Sequence, residues 1–287
     1  MGLHRRRPVA AHGRRPRRAD GRHDRADRPR EAPVPRRRGR CGLLPRVARR
    51  GLHDRPVRRR RRRHVPLLTV KGPDDPVDLY LDTADRDAAL ALLATGAFRG
   101  VTTNPVILQR AGLTVADAPA VHDWAVAGGA ERVFLQSWGA SADEVTRRGR
   151  ELAALSDRVV VKVTATLAGA TACARLVTEG VPTLLTGAFT PAHAVLSAGV
   201  GASWVAPYVS RISSDEATAV DVVVAMHRAL GTGPTAVLAA SLRSLDAVGA
   251  LAAAGVPAAT LGVPLAEALF THELTLAADR TFEEAAS

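Results

Sequence analysis

Short apolar runs recur along residues 77–287, and each is followed by a longer segment whose apolar residues repeat at helical spacing. The runs have the length and the Val and Leu content of buried strands, and Gly follows several of the helical segments, as it commonly does after the last helical turn. Eight runs are predicted as strands: DLYLDT (78–83), GVTTN (100–104), RVFLQSW (132–138), VVVKVTA (159–165), PTLLTGAF (182–189), WVAPYVSR (204–211), TAVLAAS (235–241) and AATLGVP (258–264).

Strands that alternate with helices in this way indicate parallel βα units. Eight such units within residues 77–287 fit a closed (β/α)8 TIM barrel near the lower limit of its size. The alternative is an open doubly wound sheet, but no Gly-x-Gly-x-x-Gly motif follows the first predicted strand. We therefore predict an α/β fold of the barrel type.

The first 76 residues differ from the rest in composition. They carry 26 basic and 7 acidic side chains, a net charge of +19, whereas residues 77–287 carry 14 basic and 21 acidic side chains, a net charge of −7. Ten of the 18 prolines lie in residues 1–76, and no Phe, Trp or Tyr does. Such a segment has too little apolar surface to offset the entropy lost on folding. We predict a disordered Arg-rich N-terminal arm over residues 1–76 and one folded domain over residues 77–287.

Two interpretations of the arm remain open. A functional arm rich in arginine would neutralise phosphates and bind nucleic acid or an anionic surface. Alternatively, the arm has no function of its own. It consists mostly of residues with GC-rich codons, a composition that a misassigned start or a shifted reading frame would produce. The arm lacks the apolar core of a signal peptide, no run approaches a transmembrane length, and the chain has only two cysteines. We expect a cytoplasmic, reducing setting and no membrane partner.

One lysine stands inside the fourth predicted strand. The chain has 40 basic residues, but only Lys71 and Lys162 are lysines. Because side chains alternate across a strand, Val161 and Val163 share one face while Lys162 points to the other, toward the mouth of a barrel if the valines pack under the helices. An amine in such a pocket loses hydration, which favours its neutral form and lets it attack a carbonyl to form a Schiff base. The alternative is a structural ion pair with Asp82.

Polar residues close seven of the eight predicted strands. A single polar residue at a strand end is often only a cap or turn residue, but seven such ends favour a polar pocket at the mouth. Two arginines and a serine among them suit a phosphate group, which guanidinium binds in a fork. Besides Lys162 on the fourth strand, the residues at these ends are Asp82, Thr102, Asn104, Gln136, Thr186, Tyr208, Arg211, Ser241 and Arg243, the last of which follows the seventh strand.

Five motifs resemble the small transaldolase family, and within it the fructose-6-phosphate aldolases. They are LYLDTAD, GVTTNPVIL, VVVKVTAT, PTLLTGAFTPAHAVLSAGVGASWVAPYVSRI and VLAASLRS. The resemblance covers residues 78–283 and none of the arm. It implies a class I aldolase barrel that forms a Schiff base without a metal or an organic cofactor. It also implies a sugar phosphate substrate and a homo-oligomer, which in the family is a decamer.

The resemblance assigns catalytic roles to five residues. Lys162 matches the Schiff-base lysine, and Asp82 matches the carboxylate that handles the proton of a substrate hydroxyl. Thr186 matches the threonine that helps to position the catalytic water. Tyr208 and Gln136, together with Thr186, would direct that water to the enamine.

On the substrate side, Asn104 matches the amide that holds a dihydroxyacetone hydroxyl, and Thr102 lies beside it. Arg211, Ser241 and Arg243 match the phosphate site. The chain departs from the family by a threonine where proline is usual after the lysine, and by an extra residue at the end of the eighth strand. These departures affect the shape of the pocket and leave the lysine unchanged.

Two positions favour an aldolase over a transaldolase. Transaldolases usually have Glu on strand 3 and Phe on strand 6, where this chain has Gln136 and Tyr208. We therefore expect cleavage or formation of the C3–C4 bond of a ketose phosphate, as in conversion of fructose 6-phosphate to dihydroxyacetone and glyceraldehyde 3-phosphate. One alternative is a transaldolase that transfers the dihydroxyacetone unit between sugar phosphates, as in the pentose phosphate pathway. The other is an inert barrel with an arm that binds nucleic acid.

Overall fold

Eight parallel strands close into a barrel in which each strand pairs with the next along the chain and the last pairs with the first. The computed structural model describes residues 77–287, and the predicted arm lies outside the described residues. The closed barrel is as predicted, and the open doubly wound sheet is wrong because β8 and β1 pair instead of forming sheet edges. The strands are β1 (Asp78–Asp82), β2 (Phe98–Thr102), β3 (Arg132–Gln136), β4 (Val159–Thr164), β5 (Thr183–Ala188), β6 (Trp204–Pro207), β7 (Ala236–Ala239) and β8 (Ala258–Leu261).

Helices follow the strands and cover the outside of the barrel. Several begin at a short polar side chain that accepts a hydrogen bond from the first turn, as Asp85, Ser141 and Ser244 do. The helices are α1 (Arg86–Leu93), α2 (Pro105–Arg110), α3 (Ala118–Ala127), α4 (Ala142–Ala153), α5 (Leu167–Thr178), α6 (Pro191–Gly199), α7 (Val209–Ile212), α8 (Glu216–Leu230), α9 (Leu245–Ala253), α10 (Val263–Ala268) and α11 (Glu273–Ala286).

Alternation along the strands separates two apolar clusters. The larger cluster lies between the strands and the helices and contains Val159, Val161 and Val163, as predicted from the sequence. The smaller cluster fills the barrel interior. Its members are Tyr80, Phe134, Val160, Leu184, Trp204, Ala206, Leu238, Ala240 and Ala258.

The sixth predicted strand is too long. β6 ends at Pro207, and Arg211 lies in the short helix α7 instead of at a strand end. Pro207 has no backbone N–H group with which to continue a ladder. The N–H groups of Val209 and Ser210 then donate to the carbonyl oxygens of Ala240 and Ser241, at 2.9 and 3.1 Å. These hydrogen bonds hold the start of α7 against the segment that follows β7.

The last helix, α11, has no buried side chain. Its apolar residues Leu274, Leu276 and Phe282 are exposed to solvent. The helix therefore contributes no buried side chain to the barrel. Within residues 77–287, no helix combines the length and the apolar content that a membrane crossing requires.

Gly169 lets α5 pack directly on the end of β4. A Cβ atom at Gly169 would lie 1.9 Å from the carbonyl oxygen of Thr164, and a backbone atom cannot rotate out of the way. We predict that Gly169→Ala lowers the free energy of unfolding by about 1–3 kcal/mol in urea titrations, because the helix must move away from the strand.

Gly249 in α9 provides the matched control, because a Cβ atom there would have no neighbour within 4 Å. Alanine has the higher helix propensity, so Gly249→Ala is expected to raise the free energy of unfolding by about 0.5–1 kcal/mol. Equal effects of the two substitutions would contradict close packing at Gly169.

Candidate active site

Inward-facing side chains change from apolar to polar toward the C-terminal ends of the strands. On five strands an apolar residue of the interior cluster is followed two positions later by a polar residue. The C-terminal ends of parallel strands meet at one end of the barrel, so these polar residues share its mouth. The pairs are Tyr80 and Asp82, Phe134 and Gln136, Val160 and Lys162, Leu184 and Thr186, and Ala258 and Thr260.

Three aromatic rings fill the barrel below the mouth. The rings of Tyr80 and Phe134 meet edge to face with their centroids 5.1 Å apart, and those of Phe134 and Trp204 meet in the same way at 6.1 Å. Edge-to-face contact is a favourable geometry for aromatic pairs. All three side chains are buried. The polar residues of the mouth therefore stand on a floor of buried aromatic rings.

Lys162 is 5% exposed, and its Nζ donates a hydrogen bond to the carbonyl oxygen of Thr103 at 3.0 Å. Burial lowers the pKa of the Lys162 amine below the ordinary lysine value, while the negative charge of Asp82 acts in the opposite direction. Burial is the larger effect, so the neutral amine is favoured relative to a free lysine. Among the ion pairs of residues 77–287, none joins Lys162 directly to Asp82, which is evidence against a purely structural ion pair.

Asp82 is held by hydroxyl groups. Oγ1 of Thr102 donates to Oδ1 of Asp82 at 2.6 Å, and the same Oγ1 lies 2.8 Å from Oγ1 of Thr260. Asp82 and Thr102 are also paired in register between β1 and β2. The structure thus brings Thr102 against the carboxylate of Asp82.

Tyr208 and Thr186 are in direct contact. Oγ1 of Thr186 donates to the phenol oxygen of Tyr208 at 2.9 Å. The Tyr208 ring meets Phe189 edge to face at 6.0 Å, and the guanidinium of Arg211 lies 5.3 Å from the ring centroid. The ring is therefore fixed from two sides, and its own O–H hydrogen remains available to a water or a substrate.

Gln136 lies beside Lys162, because the two residues are paired in register between β3 and β4. Asn104 acts as the N-terminal cap of α2. Its Oδ1 accepts the N–H groups of Val106 and Ile107 at 2.9 and 3.0 Å. Its side-chain oxygen is thus engaged in the helix, and the amide NH₂ is the group that remains to contact a substrate hydroxyl.

Ser241 and Arg243 line one cavity of about 300 Å³, its open part included. Ser210 lines it too, with its Oγ 2.8 Å from Oγ of Ser241. Among residues 77–287, Ser241 is the only non-glycine residue at a positive φ, 60°. Arg211 does not line this cavity, so two of the three predicted phosphate ligands come together here. The other lining residues are Val209, Ser213, Ser214, Glu216 and Ala219.

Two residues of the site were not identified from the sequence. Thr260 follows Ala258 at the inward positions of β8, so strand alternation alone carries the signal for it. Ser210 belongs to the sixth predicted strand, but in the structure it lies in α7, where its hydroxyl contacts that of Ser241. Within residues 77–287, no group of three or more His, Cys, Asp and Glu side chains is arranged to hold a metal ion.

Comparison with known proteins identifies the family. Residues 79–287 match the family model described as transaldolase/fructose-6-phosphate aldolase. A probable transaldolase of Phenylobacterium zucineum is 34% identical over 201 residues, which span 69% of this chain and 91% of that protein. A probable transaldolase of Rhodospirillum centenum is 34% identical over 199 residues, covering 68% and 85% of the two chains.

A third relative, a probable transaldolase of Kosmotoga olearia, is 35% identical over 202 residues and covers 69% of this chain and 90% of its own. In each case the aligned part is most of the relative and leaves about a third of this chain unmatched. Membership of an enzyme family is evidence against the interpretation of an inert barrel. The chain therefore belongs to the transaldolase/fructose-6-phosphate aldolase family of Schiff-base enzymes.

Proposed function

We propose that this protein is a class I aldolase that cleaves and forms the C3–C4 bond of a ketose phosphate through a Schiff base on Lys162. The observation that carries the choice of a lyase is the hydrogen bond from Thr186 to the phenol of Tyr208. It leaves a phenol O–H group free to donate at the mouth of the barrel. Fructose 6-phosphate is the substrate that we propose, with dihydroxyacetone and glyceraldehyde 3-phosphate as products.

The first half of the reaction uses the lowered pKa of Lys162. Its neutral Nζ attacks the C2 carbonyl, and loss of water with uptake of one proton from solvent gives an iminium. Asp82 accepts the proton of the C4 hydroxyl, the C3–C4 bond breaks, and its electron pair moves to the iminium, which becomes an enamine. Glyceraldehyde 3-phosphate leaves. The hydrogen bond from Thr102 supports this role by holding the carboxylate of Asp82 in place.

The second half releases the dihydroxyacetone unit. C3 of the enamine must gain a proton, and water must then hydrolyse the imine to restore the free amine. We assign the direction of this water to Tyr208, Thr186 and Gln136. The contact between Thr186 and Tyr208 and the pairing of Gln136 beside Lys162 support the assignment. Asn104 would donate its amide N–H to a hydroxyl of the bound unit.

The substrate phosphate would bind in the cavity lined by Ser241 and Arg243. Arg243 supplies a permanent positive charge, and the hydroxyls of Ser210 and Ser241 supply neutral donors. Arg211 lies outside this cavity against the Tyr208 ring, so in our proposal it approaches the phosphate from the side of the reacting carbons.

Transaldolase activity is the second candidate, and the relatives' names favour it. Each of the three is a probable transaldolase. A transaldolase holds the same enamine on the same lysine and protects it until an acceptor aldose arrives. The two candidates therefore differ in how the enamine is protonated, and not in the first half of the reaction.

The effect of Asp82 on the Lys162 amine gives a prediction about pH. Trapping of dihydroxyacetone by a borohydride reductant requires the neutral amine. The initial rate of trapping should therefore rise with pH, and the midpoint of this rise should lie below the usual lysine pKa of about 10.4. The charge of Asp82 favours the ammonium form, so Asp82→Asn is expected to move this midpoint to lower pH.

Asp85→Asn is the matched control for this titration. It removes a carboxylate at the exposed start of α1, and asparagine caps a helix about as well as aspartate. Its midpoint should equal that of the wild type. A midpoint in Asp82→Asn that stays unchanged or moves to higher pH would show that Asp82 does not act on the amine.

The contact of Tyr208 gives a prediction about lyase and transferase activity. Tyr208→Phe removes the phenol donor, and Gln136→Glu introduces a carboxylate beside Lys162. The double variant should favour transfer to erythrose 4-phosphate over release of free dihydroxyacetone by about ten- to a hundredfold relative to the wild type, which corresponds to one hydrogen bond. Parallel assays with and without the acceptor give this ratio.

Tyr80→Phe serves as the control, because it removes the phenol of the floor and leaves the mouth unchanged; its ratio should match that of the wild type. If wild-type protein releases no free dihydroxyacetone from fructose 6-phosphate, and instead transfers that unit to erythrose 4-phosphate when this acceptor is added, the lyase proposal is wrong and transaldolase takes its place.

A further inference from the structure

Thr260 on β8 contributes a buried hydroxyl to the site. Its side chain is 2% exposed, and its Oγ1 lies 2.8 Å from that of Thr102, which is itself fully buried. β8 and β2 both flank β1, so the two hydroxyls meet across the inward face of the strand that carries Asp82. Residues 158 positions apart in the chain are thus in direct contact at the carboxylate.

The direction of the hydrogen bonds in this group follows from the number of hydrogens. A threonine hydroxyl has one hydrogen to donate. Thr102 uses its hydrogen toward Oδ1 of Asp82, at 2.6 Å. In the contact between the two threonines Thr102 must therefore accept, and Thr260 must donate. The three side chains form a chain of donors that runs from Thr260 through Thr102 to Asp82.

The carboxylate of Asp82 depends on this chain for its orientation. Within residues 77–287, no other hydrogen-bond donor contacts its side-chain oxygens, and the charged group that acts on it from another strand is Lys162. A hydroxyl that accepts one hydrogen bond donates a stronger one. Without Thr260, the Thr102 oxygen would be a buried acceptor without a donor, and its hydroxyl could rotate away from the carboxylate.

We propose that Thr260 is a positioning residue for the reaction: through Thr102 it holds the carboxylate of Asp82 in the orientation that receives the substrate's hydroxyl proton. This inference rests on the proposed function, in which Asp82 is the base. Thr260 contacts Asp82 only through Thr102, so its removal should affect the proton-transfer step and leave substrate binding unchanged.

The test compares Thr260→Val with Thr260→Ser in the cleavage assay. Valine has nearly the shape of threonine without the hydroxyl, and Thr260→Val should lower kcat about fivefold to tenfold while KM changes by less than about twofold. Thr260→Ser restores the donor and should return kcat to within about twofold of the wild type. Thr260→Ala takes the place of the valine variant if the latter does not fold.

Thr235→Val is the matched control. The Thr235 hydroxyl is buried and donates to the carbonyl oxygen of Ala202 at 2.7 Å, just before β7 begins and hence at the opposite end of the barrel. The Thr235→Val substitution should lower the melting temperature without lowering kcat. The proposal is overturned if Thr260→Val keeps the wild-type kcat, if Thr260→Ser fails to restore it, or if Thr235→Val lowers it equally.

Failure of this inference is distinguishable from failure of the proposed function. If borohydride with dihydroxyacetone does not modify the wild-type protein, the Schiff-base function fails whatever Thr260 does. If the wild type is modified and cleaves fructose 6-phosphate while Thr260→Val does so at the same rate, only the role of Thr260 is wrong.

Discussion

The burial of one amine at the mouth of the barrel is the constraint on which the rest of the site depends. Lys162 is almost fully buried above three packed aromatic rings, and the loss of hydration lowers its pKa while Asp82 limits that effect. Keeping an ionisable amine in such a setting is costly, and a perturbed amine in a cleft marks a candidate functional site. The carbonyl of Thr103 accepts a hydrogen bond from the amine, and the hydroxyl of Thr102 donates one to the carboxylate of Asp82, so each group is held by a defined contact.

Much of the fold could be predicted because the strand period is local. The alternation of Val161, Lys162 and Val163 fixes which face each side chain takes once both faces of the strand are covered. The regular succession of strand and helix predicts the barrel, and the barrel in turn predicts that Asp82, Lys162 and Thr186 share a mouth. The structure confirms the barrel and brings these strand ends together.

The remaining features depend on contacts that no local pattern encodes. Thr260 contacts Thr102 although 158 positions separate them in the chain, and a threonine between Ala259 and Leu261 on the last strand gives no sign of its partner. Ser210 reaches Ser241 because the chain leaves β6 at Pro207 and turns into a short helix, which sequence reasoning extended as a strand. For the same reason Arg211 lies against the Tyr208 ring, outside the cavity lined by Ser241.

The central claim is that Lys162 is the residue that bonds covalently to substrate carbon. Because Lys71 and Lys162 are the only lysines, peptide mass spectrometry after borohydride reduction with dihydroxyacetone tests it directly. The account predicts that the added mass lies on the peptide containing Lys162 and is lost in Lys162→Arg, since guanidinium stays protonated. An adduct confined to Lys71, or a Lys162→Arg enzyme that still cleaves fructose 6-phosphate at the wild-type rate, would contradict it.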